Sequence, residues 1–306
     1  MSWTQHPDDH PRPDVLCIGA VLWDVIGRSP RTMSKGDDVP GRIAHIPGGV
    51  ALNVAIALAR RGRRPAVLGA VGRDGEGEAL CSAARSLGVD VAYLTRDAGL
   101  PTDVYMAIED DVGLIAAIAD AHSLEKAGDA IVRPLRHGPL GRPGTPWLGP
   151  VVIDGNLTVE MLATLATDPA LAAADLRVVP ASPGKAERLA PLMAHPNATL
   201  YLNRAEAETL AGHACVDAAT AAAAVIQRGA ARVLVTDGGQ LAACAARDGE
   251  VLTALPPSVR IARVTGAGDC FLAAHLVAEH GGLDRRAALD AAVAAAAAHV
   301  SGKDTP

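Results

Sequence analysis

Three small residues, Gly266, Ala267 and Gly268, stand directly before an acid, Asp269, at the head of an apolar, helix-prone run. Small residues at a helix start let backbone N–H groups converge on an anion with no side chain in the way. An acid there competes with that anion unless it takes a proton beside developing negative charge. The chemistry this suits is phosphoryl transfer to an alcohol. Asp269 would be the general base, and the N–H groups of Gly266, Ala267 and Gly268 would form the anion hole. The same residues also make an ordinary glycine-rich turn with an aspartate capping a helix, so the rest of the chain has to choose.

Further polar residues stand where a site needs them. Asp24 follows an apolar run and a small-residue turn, and its carboxylate can accept from two vicinal sugar hydroxyls. Gly48 and Gly49 permit close backbone approach to a substrate, and Asn53, one helical turn on, can both donate to and accept from a hydroxyl. Asn203 and Glu206, three apart at a strand end, have the spacing of a capping box. Asp24, Asp154, Asn156, Asn203 and Thr236 all lie at predicted strand ends. Thr236, Asp237, Gly238 and Gly239 form a loop after one of them.

The elements that would carry these groups alternate. DVLCIGAVL (14–22) and AVLGAVG (66–72) read as strands, with a helix from the Gly48–Gly49 pair to Gly62 between them. VDVAYLTRD reads as another strand. GRIAHI reads as an edge strand outside the main sheet. Residues 102–120 read as a hairpin turning at Glu109–Gly113, and the Pro- and Gly-dense stretch 133–150 as an irregular surface loop. Strand–helix units resume from residue 151, and an antiparallel pair turning at Asp248–Gly249 precedes the last two helices. Such alternation predicts an α/β, doubly wound, mainly parallel sheet with helices on both faces. Ligands of such sheets bind at the carboxyl ends of the strands.

Composition narrows the function. The chain has 306 residues, 49% hydrophobic and 20% charged, so it is globular. A net charge of −6 argues against a nucleic-acid polymer as partner. Aromatics are only 2%, so Ala, Val and Leu supply the core. Five cysteines, with no CxxC pair, suit reduced thiols. The polar N-terminus lacks an apolar signal core, and no run is apolar enough to span a bilayer. A cytoplasmic protein without membrane contact is expected. A dinucleotide-dependent oxidoreductase is disfavoured, since no GxGxxG follows the first strand.

Taken in order, the Gly19–Asp24 segment, GGVALN (48–53), NRAE (203–206) and VTGAGD (264–269) resemble the PfkB-type, ribokinase-like carbohydrate kinases, over about residues 14–300. The resemblance implies one kinase domain over 14–306 behind a flexible tail, 1–13. It also implies a small β-sheet lid with strands in about 28–47 and 102–120. It implies ATP and Mg2+, with Asn203, Thr236, Gly238 and Lys185 on the nucleotide, Glu206 acting on the metal through water, and Asp154 on the metal side. Asp24, Gly48, Gly49 and Asn53 fall to the sugar, and a homodimer through the lid is one implied assembly. VPGRIAHIPGGVALN, VVIDGNL and VVPASPGKAERL are most similar to the pseudouridine kinase branch. That implies pseudouridine, phosphorylated on its primary hydroxyl; another nucleoside, a ribose-like sugar, or a non-catalytic binding regulator are the alternatives. The chain departs from the pattern at Leu52, where that branch often has Arg, and at Leu241, where a second loop glycine is usual. It departs again at Arg263, where many relatives carry an acid that helps bind an activating K+. A guanidinium cannot ligate a cation, so K+ is doubtful: either its activation is lost, or backbone carbonyls alone form the site.

Overall fold

The computed structural model describes residues 12–142 and 144–303; residues 1–11 of the expected tail lie outside the described residues. The strands, in chain order, are β1 (Val15–Ile18), β2 (Leu22–Arg28), β3 (Arg42–Gly48), β4 (Pro65–Leu68), β5 (Ala70–Gly72), β6 (Thr95–Asp97) and β7 (Val104–Glu109). They continue as β8 (Leu114–Asp120), β9 (Pro150–Asp154), β10 (Asp175–Val179), β11 (Ala198–Asn203), β12 (Arg232–Thr236), β13 (Ala242–Ala246) and β14 (Val251–Ala254). Among the described residues the main sheet runs β14-β13-β12-β11-β10-β9-β1-β4, parallel from β12 to β4, with β13 and β14 antiparallel at one edge.

Alternate residues of the central strands feed two apolar layers. Leu16, Ile18, Val151, Ile153 and Leu200 enter one, and Val15, Cys17, Val152, Tyr201 and Leu234 the other. Burial on both faces is why these strands read as unbroken apolar runs rather than alternating ones.

Two of those runs are not single strands. The chain leaves β1 at Gly19, whose φ of 149° suits glycine, and β2 joins a second sheet ordered β3-β2-β7-β8. A Cβ on Gly19 would lie 2.2 Å from Asp154 Cγ, so the buried carboxylate itself forces the turn. The second run breaks at Gly69, where a Cβ would sit 2.5 Å from the Gly19 carbonyl oxygen. Residues beyond it, Ala70–Gly72, pair with Thr95–Asp97 in a separate two-stranded sheet. Asp24 therefore lies within a lid strand and not at an end of the main sheet. The expected strand VDVAYLTRD shrinks to a bridge at Asp90 plus β6. The segment expected as loop from 133 opens with a short helix, Arg133–His137, with proline in its first turn, a position that tolerates proline.

The small sheet has two chemically different faces. Cross-strand pairing aligns Ile46, Asp24, Tyr105 and Ala119 in one row. It aligns His45, Val25, Met106 and Ile118 in the next, with Ile43, Gly27, Ile108 and Ala116 beyond. Since strand side chains alternate, Asp24 and Tyr105 share one face and the apolar set takes the other. Ile43, Met106, Ile108 and Ile118 are exposed on that other face.

Candidate active site

The site is built around one fully buried acid. Asp154, at the end of β9, is 0% exposed, and its two oxygens accept three backbone N–H groups. These are Ala20 (2.8 Å), Ala51 (3.0 Å) and Asn156 (2.8 Å). Burial raises its pKa and the three donors oppose that rise. The carboxylate thus ties together the β1 exit, the helix Val50–Ala59 and the β9 exit. The metal-side role read for Asp154 from the sequence meets a group already engaged on both oxygens.

Asp154 also sets the start of the Val50–Ala59 helix. First-turn N–H groups have no intrahelical acceptor; here Ala51 uses Asp154, and Leu52 reaches the Ala20 carbonyl at 3.3 Å. Gly49 makes this approach possible: its φ is 91°, and a Cβ would come within 2.4 Å of that same carbonyl oxygen. Gly48 is equally confined, with Asp24 Oδ2 2.1 Å from where its Cβ would stand. Both glycines therefore serve the walls of the site.

Asn53 follows on the first turns of that helix, near enough to Asp269 to lower that acid's pKa. The sequence reading gave Asn53 to the substrate alone; the fold also sets it near the candidate base. Asp269 is half-buried on the first turn of the helix Ala267–His280, behind Gly266 at φ 83°. Burial and the charge of Asp154 push its pKa up to about 7; Asn53 pulls it down, while Asp24 and Glu206 raise it further. Asp24, Asp154, Glu206 and Asn53 thus converge electrostatically on Asp269. Asp24 is half-buried, and burial pushes it up to about 6.

The anion-hole set needs one correction. The N–H of Ala267 donates to Val264 O at 3.1 Å, closing the αL turn at Gly266, and is spent within the loop. The backbone at Gly268 faces open space, with nothing within 4 Å of its Cβ position. Gly266 and Gly268 remain as the candidate anion donors.

On the far side of the cleft, Asn203 ends β11 and forms a complete capping box with Glu206. Asn203 N donates to Glu206 Oε2 at 2.7 Å, and Glu206 N donates to Asn203 Oδ1 at 2.9 Å. Burial raises Glu206 to about 7. Thr236 ends β12, and the loop behind it turns at Gly238, φ 55°, with open space around Gly238 and Gly239. Lys185 does not stand with this loop. Its Nζ donates to Asn156 Oδ1 at 2.8 Å, beside Asp154, and burial together with Arg188 lowers its pKa.

Two residues escaped the sequence reading. Tyr105 lies directly across from Asp24 on the lid, near enough that Asp24 raises its hydroxyl pKa after burial does. His299, near the end of the final helix, donates to the carbonyl of Thr265 in the anion-hole loop. A tyrosine in an expected lid strand was the only available signal for the first. The second is a contact across 34 residues with no local signature.

The glycine-rich turn before Asp269 and the strand ends under the β lid are laid out as phosphoryl transfer to a small molecule would need. Comparison with known proteins agrees: the model of the pfkB family carbohydrate kinases matches residues 12–305, and the chain belongs to that family. It is 31% identical to the pseudouridine kinase of Escherichia coli over 271 residues, covering 85% of this chain and 81% of the relative. It is 25% identical to the ribokinase of Mus musculus, covering 85% and 80%. Among solved structures, a carbohydrate kinase from Agrobacterium tumefaciens superposes with TM-score 0.77 at 24% identity, covering 96% and 94% of the two chains. Arabidopsis thaliana ribokinase complexed with ribose and ATP gives 0.76 at 21% identity, covering 94% and 92%. The fold is therefore ribokinase-like. Among the described residues no helix is long and apolar enough to cross a membrane.

Removal of the Asp24 carboxylate tests the division of the cleft. Asp24→Ala should raise KM for the acceptor at least tenfold, as loss of charge-assisted hydrogen bonds of about 1.5–3 kcal/mol implies. KM for ATP should stay within about twofold. Steady-state kinetics with each substrate varied in turn checks this, and a matched rise in both constants would place the acceptor elsewhere.

Proposed function

We propose that this chain phosphorylates the primary hydroxyl of a ribose-containing nucleoside, pseudouridine first, with ATP as donor and Mg2+ on its phosphates. The observation that carries this reading is Asp269 on the first turn of the helix Ala267–His280, directly behind the left-handed turn at Gly266, within electrostatic reach of Asp24, Asn53 and Asp154.

Asp24 on the lid and Asn53 on the helix hold the sugar hydroxyls. Asp269 takes the proton from the attacking hydroxyl. The N–H groups of Gly266 and Gly268 meet the charge that spreads over the transferring phosphoryl oxygens. Thr236 and Gly238 flank the nucleotide, with Asn203 at the phosphates. Lys185, held on Asn156, faces the phosphate side of the cleft. The lid covers the site and keeps water from the phosphoryl group.

Mg2+ would supply positive charge against the nucleotide phosphates. Among the described residues no cluster of three metal-ligating side chains exists. The donor set still fits an ion held mainly by phosphates and water. Glu206 has one oxygen on the Asn203 N–H; its other would accept from a water of the ion.

The likeness to a pseudouridine kinase supports the nucleoside over a free sugar. Tyr105, beside Asp24, supplies an aromatic face for a base. A second reading, a free pentose as acceptor, is favoured by the ribokinase relative. Specificity constants for pseudouridine, uridine, adenosine and ribose separate them: pseudouridine should lead ribose by at least tenfold in kcat/KM, about 1.4 kcal/mol in barrier. Ribose in the lead would transfer the assignment to the sugar. No turnover with any acceptor would leave a binding regulator.

None of the described cysteines is in a disulfide and all are buried, which supports a reducing, cytoplasmic setting. The apolar lid face opposite Asp24 supports a homodimer through the lid.

A further inference from the structure

The loop that precedes the anion hole is held from one side by the end of the last helix, Arg285–Val300. Ala262 N and Arg263 N both donate to Val300 O, at 2.8 and 3.1 Å. Arg263 Nε donates to His299 O at 3.2 Å, and its Nη2 lies 3.3 Å from His299 Nδ1. His299 Nε2 lies 2.9 Å from the carbonyl oxygen of Thr265. One tautomer satisfies all of this: Nε2–H donates to Thr265 O, and Nδ1 accepts from the guanidinium. The imidazole also abuts Gly266, with Nε2 3.2 Å from where a Cβ would stand.

A monovalent cation beside this loop would need carbonyl oxygens turned toward it and no fixed positive charge nearby. The carbonyls of Thr265, His299 and Val300 each accept an N–H already, and that of Val264 accepts from Ala267. Arg263 adds a permanent charge at the same spot. The residues present do not fit K+.

We infer that Arg263 and His299 form a built-in clamp that orders the anion-hole loop, so that the loop needs no monovalent cation to be competent. Arg263 and His299 are positioning residues: they touch the loop, and the loop touches the phosphoryl group. The inference rests on the kinase reading above for its kinetic test, and on the contacts alone for its thermal one.

Two measurements decide it. Initial rates of the wild-type chain, with ATP, Mg2+ and its best acceptor, are compared in K+, Na+ and tetramethylammonium chlorides at matched ionic strength. Rates within about twofold are expected, and thermal midpoints without ligand should be equal in the three salts. A K+-specific rise of about tenfold or more, about 1.4 kcal/mol in barrier, or a K+-specific rise in midpoint, overturns the proposal. Arg263→Ala and His299→Ala should each lower kcat about tenfold or more and raise KM for ATP. Guanidinium at low millimolar concentration should restore part of the Arg263→Ala loss, which a merely unfolded variant would not show. Wild-type kcat in both variants also overturns it. If the wild type turns over no acceptor in any salt, the kinase reading fails, and the thermal comparison still judges the cation site.

Discussion

Asp269→Asn lowers kcat by about 10²–10⁴-fold, the range that a positioned general base contributes, while ATP affinity stays within about twofold. The amide keeps the size of the carboxylate and can still meet Asn53, so the fold survives. The same substitution carries a stability signature of opposite sign. The folded-state pKa of Asp269 stands at about 7, against 3.8 for an ordinary aspartate. Between those values the folded chain binds more protons than the unfolded one, so this group's ionisation costs stability as pH rises through the window. Asp269→Asn removes that cost, and its thermal midpoint at pH 8 should exceed that of the wild type. In the wild type, kcat/KM should fall as pH drops through the coupled titration of Asp269 and Asp24, whose values are about 7 and about 6. A variant retaining more than about a tenth of kcat would remove Asp269 as base.

Asp154→Ala should give the largest loss of stability of any single change in the site. It leaves three buried N–H donors, those of Ala20, Ala51 and Asn156, without their acceptor. Each such orphan costs about 1–3 kcal/mol, and the three share one cavity, so we expect about 3–5 kcal/mol in all. That corresponds to a fall in Tm of roughly 6–15 °C for a chain of this size class. Activity should fall with it by about 100-fold, because Ala51 loses its tie and Asn53 shifts against Asp269. Asp154→Asn keeps one acceptor oxygen and relieves a buried charge, so it should lose less than half as much stability. Thermal unfolding and kcat of both variants check this. Equal, small losses would show that Asp154 is not the tie between the three segments.

The main sheet was legible because its central strands are buried on both faces and read as apolar runs closed by Asp154, Asn203 and Thr236. The path of the chain into the lid was not. VLCIGAVL, residues 15–22, has no polar side chain to mark a break, and nothing in its periodicity shows that Asp154, 135 positions beyond Gly19, presses against that glycine. Asp24 was therefore read as a strand-end residue when it is a lid residue, although its proposed task is the same. The Asn203–Glu206 pair illustrates a different limit. The capping box was legible from the three-residue spacing, but no spacing says whether the second oxygen of Glu206 also serves a metal. Asn53 on Asp269, Lys185 on Asn156 and His299 on Thr265 are long-range pairings of ordinary polar residues, set by the packing of helices against strand ends rather than by local sequence.

The central claim, transfer of a phosphoryl group to a primary hydroxyl through Asp269, is tested most directly by 31P NMR of the products from ATP, Mg2+ and pseudouridine. Wild-type protein should give one new phosphomonoester resonance, coupled to the two 5′ protons, growing in step with ADP, and Asp269→Asn should give none over the same period. ADP growing with free phosphate alone, or a phosphomonoester formed as fast by Asp269→Asn, would contradict it.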